Sequence, residues 1–180
     1  MKNRNNVKKI VELCDKFVSV LRMICVVMAA IFISLMIIQV ILRYTFNAPI
    51  YGLDELVIAI SVWYLAIGVV VVLWENAHAL IEFLLKHFLE KFRGVVEIAE
   101  HIIILISSIL FIFSGQILFA IQVKTNPVGG LPFARAYYNA LPIIVMGVLL
   151  IIVGLVRFIQ YLFDREEYEA REKTGGLIDG

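Results

Sequence analysis

The side chains that could do chemistry in this 180-residue sequence are few. Two cysteines, Cys14 and Cys25, lie eleven residues apart, which is about 16 Å along one helix and too far for a disulfide. The three histidines, His78, His87 and His101, share one connecting segment with glutamates but with no cysteine. That pattern is typical neither of a di-metal helix bundle nor of haem held between two inward-facing histidines. We therefore expect no catalytic residue, no cofactor and no metal site in this chain.

The segments that could hold an enzyme domain are short. The longest connection between apolar runs is 75–101, and the last segment is 157–180. A folded domain usually needs about 50 residues or more. The sequence also lacks a glycine-rich phosphate loop, a G-x-S-x-G motif and an H-E-x-x-H motif. These observations exclude a nucleotide-binding or catalytic domain from the segments outside the apolar runs.

The elements that must position the polar residues are long apolar segments. Hydrophobic residues make up 62% of the chain, and charged residues only 17%. The runs without Asp, Glu, Lys or Arg are 23–42, 56–74, 102–123 and 136–156. A membrane-spanning helix needs roughly 20 apolar residues, whereas the strands of an outer-membrane barrel alternate over about ten. The sequence predicts an all-α membrane protein with one four-helix domain over 1–165 and a polar tail over 166–180, not a soluble, disordered or nucleic-acid-binding chain.

The orientation follows from the distribution of lysine and arginine. Thirteen of these residues lie before the first run, between the second and third runs, or after the fourth run. The other two loops hold three. Cytoplasmic segments carry the excess of Lys and Arg. We therefore expect both termini in the cytoplasm and the loops 43–55 and 124–135 on the opposite side.

Two further segments, 7–21 and 77–92, repeat apolar residues at helical spacing, with charged residues on the opposite side. Such helices beside a span are typical of the membrane interface, and their lysines suit anionic headgroups. The alternative is that both helices pack on neighbouring protein. In the second of these helices, on the predicted cytoplasmic surface, the residues expected at the membrane interface are His78, Glu82, Leu84, Leu85 and Phe88.

Three charged residues flank the first two spans at one predicted membrane face. Arg43 ends the first span, and Asp54 and Glu55 begin the second, so an ion pair across the short loop is expected. One of the acids could instead contact a partner protein. The residues predicted for a partner or docking interface are Arg43, Tyr44, Tyr51, Asp54, Glu55, Pro132 and Pro142.

Inside the spans, only uncharged polar residues and small residues interrupt the apolar sequence. Hydroxyl and amide side chains there usually join helices to one another. Gly147 and Gly154, seven residues apart, predict a smooth stripe on the fourth span for contact with another helix, either within the chain or in a partner. Pro142 lies in the first turns of the same span and is expected to disturb its helix.

Several short motifs occur in a characteristic order. Residues 43–49 read RYTFNAP, and residues 54–56 read DEL. They are followed by Gly68 with His78 and Glu82, and then by Leu131-Pro132 with Tyr138-x-x-Leu141-Pro142. Over roughly residues 20–160 this order resembles the R-Y-x-F-N-x-P…W-x-E-E-L, G…H-I-x-x-D and fourth-span motifs of the small permease (Q) subunits of TRAP transporters.

The match to those motifs has four departures. Gly52 stands where the family often has Trp, which leaves Tyr51 as the aromatic residue of that loop. Asp54 replaces the first Glu, Ala79 the Ile, and Glu82 the Asp. Two of these replacements keep the negative charge.

The resemblance implies a non-catalytic subunit of a tripartite transporter in the bacterial inner membrane. Its implied partners are a large permease subunit, a periplasmic binding protein that delivers an organic acid, and membrane lipids. Sodium and solute, of dicarboxylate, sialic acid or another carboxylate type, would bind the large subunit, and the small subunit would widen its static scaffold. The alternatives are an autonomous small exporter, which would need an acid within a span, and the anchor of a redox enzyme, which would need inward histidines.

Overall fold

The computed structural model describes residues 2–47, 50–76, 93–125 and 131–163, and these ranges are all helix or short connection. The helices are α1 (Lys2–Tyr44), α2 (Leu53–Asn76), α3 (Arg93–Gln122), α4 (Ala136–Asn139) and α5 (Leu141–Phe163). Four stretches are long and apolar enough to cross a membrane: one each in α1, α2 and α3, and one formed by α4 with α5. The predicted all-α class and the four spans are confirmed, whereas the orientation stays a prediction.

Helix α1 is longer than its predicted span because nothing in its sequence stops it. Its 43 residues include neither glycine nor proline, the two residues that most weaken a helix interior. At 1.5 Å per residue the helix is about 65 Å long, roughly twice the hydrocarbon thickness of a bilayer. The chain reverses only after Tyr44, through a turn in which Asn47 and Gly52 adopt positive φ values of 48° and 85°.

The predicted interfacial helix 7–21 is the first half of α1 rather than a separate element. Its stripe packs against α2 and α5, as the alternative interpretation proposed, because these apolar side chains find apolar partners on both helices. The buried members of the stripe are Val7, Val11, Cys14, Val18 and Leu21. Ile10 and Phe17, predicted on the same side, remain exposed. The segment 77–92 lies outside the described residues.

Helices α3 and α5 approach each other through glycines. A Cβ atom on Gly147 would lie 2.9 Å from the carbonyl oxygen of Ser108, and one on Gly154 would lie 3.1 Å from Ile104 Cγ2. The stripe of Gly147 and Gly154 is therefore a helix–helix contact within the chain, the first of the two alternatives. Gly115 on α3 completes the contact, because its Cβ would lie 3.2 Å from the backbone nitrogen of Ile144.

The fourth span is interrupted, and Pro142 explains the position of the break. Helix α4 ends at Asn139 and α5 begins at Leu141. Proline has no N–H group, so Pro142 cannot donate to the carbonyl four residues earlier, on Tyr138. Near a helix start this loss is tolerated, and α5 then continues to Phe163, beyond the predicted end at 156.

Candidate interaction sites at the two ends of the bundle

A buried acidic residue marks the end of the bundle where α1 ends and α2 begins. Glu55 is only 6% exposed, and the hydroxyl of Tyr138 on α4 donates a hydrogen bond to its Oε1. Arg135 Nε lies 3.9 Å from the same oxygen. A buried carboxylate needs such partners, since an unpaired charge away from water is strongly destabilising. We name Glu55, Arg135 and Tyr138 the rim cluster; it fastens the start of α2 to the start of the fourth span.

Asp54, the neighbour of Glu55, points towards α1 instead. Consecutive residues of an α-helix are rotated by about 100°, so the two carboxylates cannot face the same element. Gln39 Nε2 on α1 donates a hydrogen bond to Asp54 Oδ1. Both side chains line a cavity of about 290 Å³, and Arg43 lies at the same cavity one turn beyond Gln39.

The predicted ion pair of Arg43 is not found among the described contacts. Among the described residues, no salt bridge joins Arg43 to Asp54 or Glu55, because these acids take Gln39 and the rim cluster as partners. The Arg43 guanidinium lies over the ring of Tyr44, with its carbon 5.8 Å from the ring centre. That placement leaves an exposed cation beside an exposed aromatic ring at the end of α1.

The other residues predicted for this interface divide by exposure. Tyr44 is 74% exposed and Tyr51 is 80% exposed in the isolated chain, so a partner protein could reach both side chains. Pro132 is also exposed. Pro142 is fully buried, and its place at the start of α5 makes it a determinant of helix geometry rather than a surface for a partner.

At the opposite end, a tryptophan joins three helices. Trp74 Nε1 on α2 donates a 2.8 Å hydrogen bond to Asp15 Oδ1 on α1. Arg157 on α5 donates to the Trp74 carbonyl, and its guanidinium carbon lies 5.6 Å from the centre of the Trp74 ring. Arg22 on α1 pairs with Glu75, the next residue of α2. We name these five residues the tryptophan cluster.

Sequence reasoning did not find either cluster. The sequence places Trp74 at the end of one apolar run and Gln39 within another, without indicating the partner of either. The sequence does contain one signal for these clusters: a carboxylate at the end of an apolar run requires a partner, because the membrane is a poor environment for an unpaired charge. Which cation or hydroxyl supplies that partner depends on how helices that are distant in the sequence meet: Glu55 and Tyr138 are 83 residues apart.

His101 and Glu100 lie within α3 rather than in a loop, because that helix begins at Arg93. His101 is buried, with its ring centre 5.5 Å from that of Phe158 and 5.7 Å from that of Tyr161 on α5. In the part of the chain that the structure describes, no three His, Cys, Asp or Glu residues are grouped as metal ligands. The predicted interfacial residues His78, Glu82, Leu84, Leu85 and Phe88 lie outside that part.

A comparison with protein families adds an independent observation. Residues 32–164 match the model of the DctQ component of tripartite ATP-independent periplasmic transporters. The chain belongs to this family. A Haemophilus influenzae protein named "Putative TRAP transporter small permease protein" is 24% identical over 144 residues, covering 79% of this chain and 88% of that protein. No solved structure matches the chain significantly.

Membership of the TRAP small permease family makes the chain a small subunit of a tripartite transporter and a multi-pass membrane protein. The family is one of transporter subunits, not of enzymes. The matched range includes the whole rim cluster, but it begins after Asp15 and Arg22. The first half of α1, which supplies two residues of the tryptophan cluster, therefore lies outside the matched range.

Proposed function

We propose that this TRAP small permease is a non-catalytic scaffold that holds a large permease subunit in the bacterial inner membrane. The observation that carries the proposal is the separation of its charged groups from its spans. The charge-free runs of α1, α2 and the fourth span lie between two clusters of charged and hydrogen-bonded side chains, one at each end of the bundle. Such a distribution suits a rigid support, whereas a transport path requires polar groups along the membrane interior.

The hydroxyl groups inside the spans support the same assignment. Ser34 donates to the carbonyl of Ala30 at 2.8 Å, and Ser108 donates to that of Ile104 at 2.6 Å. Each hydroxyl is thus satisfied by its own helix and has no need of a solute or a coupling ion. We infer that the solute and sodium bind to the large subunit, and that the transported compound is an organic acid such as a dicarboxylate or sialic acid.

We further propose that the exposed residues beside the rim cluster form the periplasmic face used by the binding protein. Tyr44 and Tyr51 offer aromatic rings with polar tips, which are common anchors in protein interfaces. Arg43 adds an exposed positive charge. Both termini then lie in the cytoplasm, in agreement with the distribution of lysine and arginine.

Reconstitution into liposomes tests the scaffold assignment. Vesicles holding this chain alone should take up no organic acid when a sodium gradient is applied and the binding protein is present. Vesicles that also hold the large subunit should take it up, and vesicles with the large subunit alone should do so poorly. Uptake by the small subunit alone would contradict the proposal.

Charge reversal tests the docking face. Arg43→Glu should leave the two membrane subunits associated but should weaken capture of the binding protein by immobilised complex. Lys124→Glu is the matched control, because Lys124 is an exposed cation in the other loop of the same predicted side. If both charge reversals weakened capture of the binding protein equally, the effect would be one of overall charge, and the proposed docking face would be wrong.

Cysteine labelling tests the orientation. In a variant without Cys14 and Cys25, a cysteine at Val128 should react with an impermeant reagent added to the periplasm. A cysteine at Ala170 should react only after the cytoplasm is opened. The opposite accessibility would overturn the topology.

A further inference from the structure

An open apolar groove lies between the first half of α1 and the middle of α5. Its volume is about 610 Å³, which lies in the range of pockets that bind small molecules. Ile10, Phe17 and Val20 form the α1 wall, and Ile152 and Val156 form part of the α5 wall. Lys16 is the charged residue that lines it. An apolar trough with one cation at its edge has the two features of a phospholipid site.

The groove lies where the sequence changes from charged to charge-free. On α1, residues 10–20 come before the charge-free run 23–42, whereas on α5 the lining residues belong to the run 136–156. Arg157 follows immediately after the α5 wall. A boundary of this kind is expected at the junction of hydrocarbon and headgroups, where long basic side chains reach towards lipid phosphates.

The surrounding charges direct a negative headgroup to Lys16. Asp15 accepts the hydrogen bond of Trp74, and Arg22 pairs with Glu75, so both side chains are turned to the tryptophan cluster. Lys9 lies seven residues before Lys16, which is about two helical turns and therefore on the same side of α1. Both lysines are exposed. The exposed Glu12 lies between them, so this edge carries two cations and one acid, and its net positive charge complements an anionic lipid better than a zwitterionic one.

We propose that this groove is a binding site for an anionic phospholipid, with an acyl chain along α5 and the phosphate at Lys16. The occupant would fill the apolar surface left between α1 and α5 and would join the first half of α1 to the membrane. The site is separate from the scaffold function, because it needs neither the large subunit nor a solute.

Photo-crosslinking of the full-length chain in micelles tests the site. The probes are phosphatidylglycerol and phosphatidylethanolamine that each carry a photoreactive group on an acyl chain, and mass spectrometry locates the labelled peptides. Labelling by phosphatidylglycerol should concentrate on residues 10–20 and 149–156. Because one lysine near anionic headgroups strengthens binding about fivefold, Lys16→Glu should reduce that labelling about fivefold or more and leave phosphatidylethanolamine labelling unchanged. Lys124→Glu, at the far end of the bundle, should change neither.

A second pair of variants tests the groove itself. Val20→Trp places a large ring in the groove and should reduce labelling of its peptides by both lipids. Val26→Trp is the matched control, because Val26 is a similarly exposed valine of α1 that does not line the groove. Even labelling over all exposed helix faces, or equal labelling by both lipids that Lys16→Glu does not change, would overturn the proposal. Labelling of the groove in the isolated chain but not in the complex with the large subunit would also overturn the proposal, because a protein would then occupy the groove.

Discussion

The two helix pairs of the bundle are held together in different ways. Between α1 and α2, polar side chains bridge the helices near both ends, Gln39 to Asp54 at one and Trp74 to Asp15 at the other. Between α3 and α5, glycines bring the two helices close together, the His101 ring lies beside the rings of Phe158 and Tyr161, and the fully buried Ser108 bonds within its own helix. One pair is fixed by specific partners and the other by close approach.

The two helix pairs should therefore differ in which substitutions destabilise them. Glycine contacts in a membrane gain van der Waals energy over their whole length, and any added carbon atom separates the helices. A polar bridge is a local contact worth about 1 kcal/mol, so the pair survives the loss of one bridge. We therefore expect α3–α5 to be the more sensitive pair to small changes in volume, and α1–α2 to be sensitive mainly to the removal of hydrogen-bonding groups.

The largest effect is expected at the glycine contact. Gly147→Ala should lower the free energy of unfolding by about 3 kcal/mol, because the added carbon would meet the Ser108 carbonyl oxygen at 2.9 Å. Gly68→Ala is the control in α2, where the added carbon would make an ordinary 3.5 Å contact with Cys25 Sγ. Unfolding in mixed micelles measures both. Similar losses for the two variants would remove the contrast between the helix pairs.

A smaller loss is expected at the rim cluster. Glu55→Ala should cost about 2 kcal/mol of unfolding free energy, because it leaves the buried Tyr138 hydroxyl without this acceptor. Asp54→Ala, which removes the exposed bridge to Gln39, should cost only about 1 kcal/mol. Adding Tyr138→Phe to Glu55→Ala should cause little further loss. Additive losses in that double variant would show that the two residues do not act together.

The bridge at the tryptophan cluster should give an effect of about 1 kcal/mol. Trp74→Phe removes the 2.8 Å hydrogen bond to Asp15 while keeping an aromatic ring beside Arg157. A double-mutant cycle with Asp15→Ala isolates that bond from the other contacts of the two residues. A coupling energy near zero would mean that the ring alone stabilises this end of the bundle.

The smallest effect is expected for Arg43→Glu, which should change the unfolding free energy by about 0.5 kcal/mol or less because the side chain is exposed. Glu55→Arg should then fail to compensate for any loss of transport in Arg43→Glu. Recovery of transport in the double variant would support an ion pair between Arg43 and Glu55, although the described contacts do not contain one.

The helices could be predicted from the sequence because charge-free runs of span length have few alternatives in a membrane. The Gly147–Gly154 stripe was also predictable, since its spacing alone places both residues on one side of a helix. The partners of Glu55 were not, because Tyr138 lies 83 residues further along the chain and, like Arg135, meets Glu55 only through the packing of the helices. Nor was the continuity of α1, because amphipathic and apolar segments with no glycine or proline between them give no local signal of where one ends.

The unbroken length of α1 has a mechanical consequence. One rod of about 65 Å carries Phe17 at the groove, Asp15 and Arg22 at the tryptophan cluster, and Gln39 beside the rim. Because a hydrogen-bonded helix is stiff along its axis, a tilt of α1 would displace the groove residues, the tryptophan cluster and Gln39 together. An occupant of the groove would therefore influence the position of Gln39, which donates to Asp54 of α2 at the other end of the bundle.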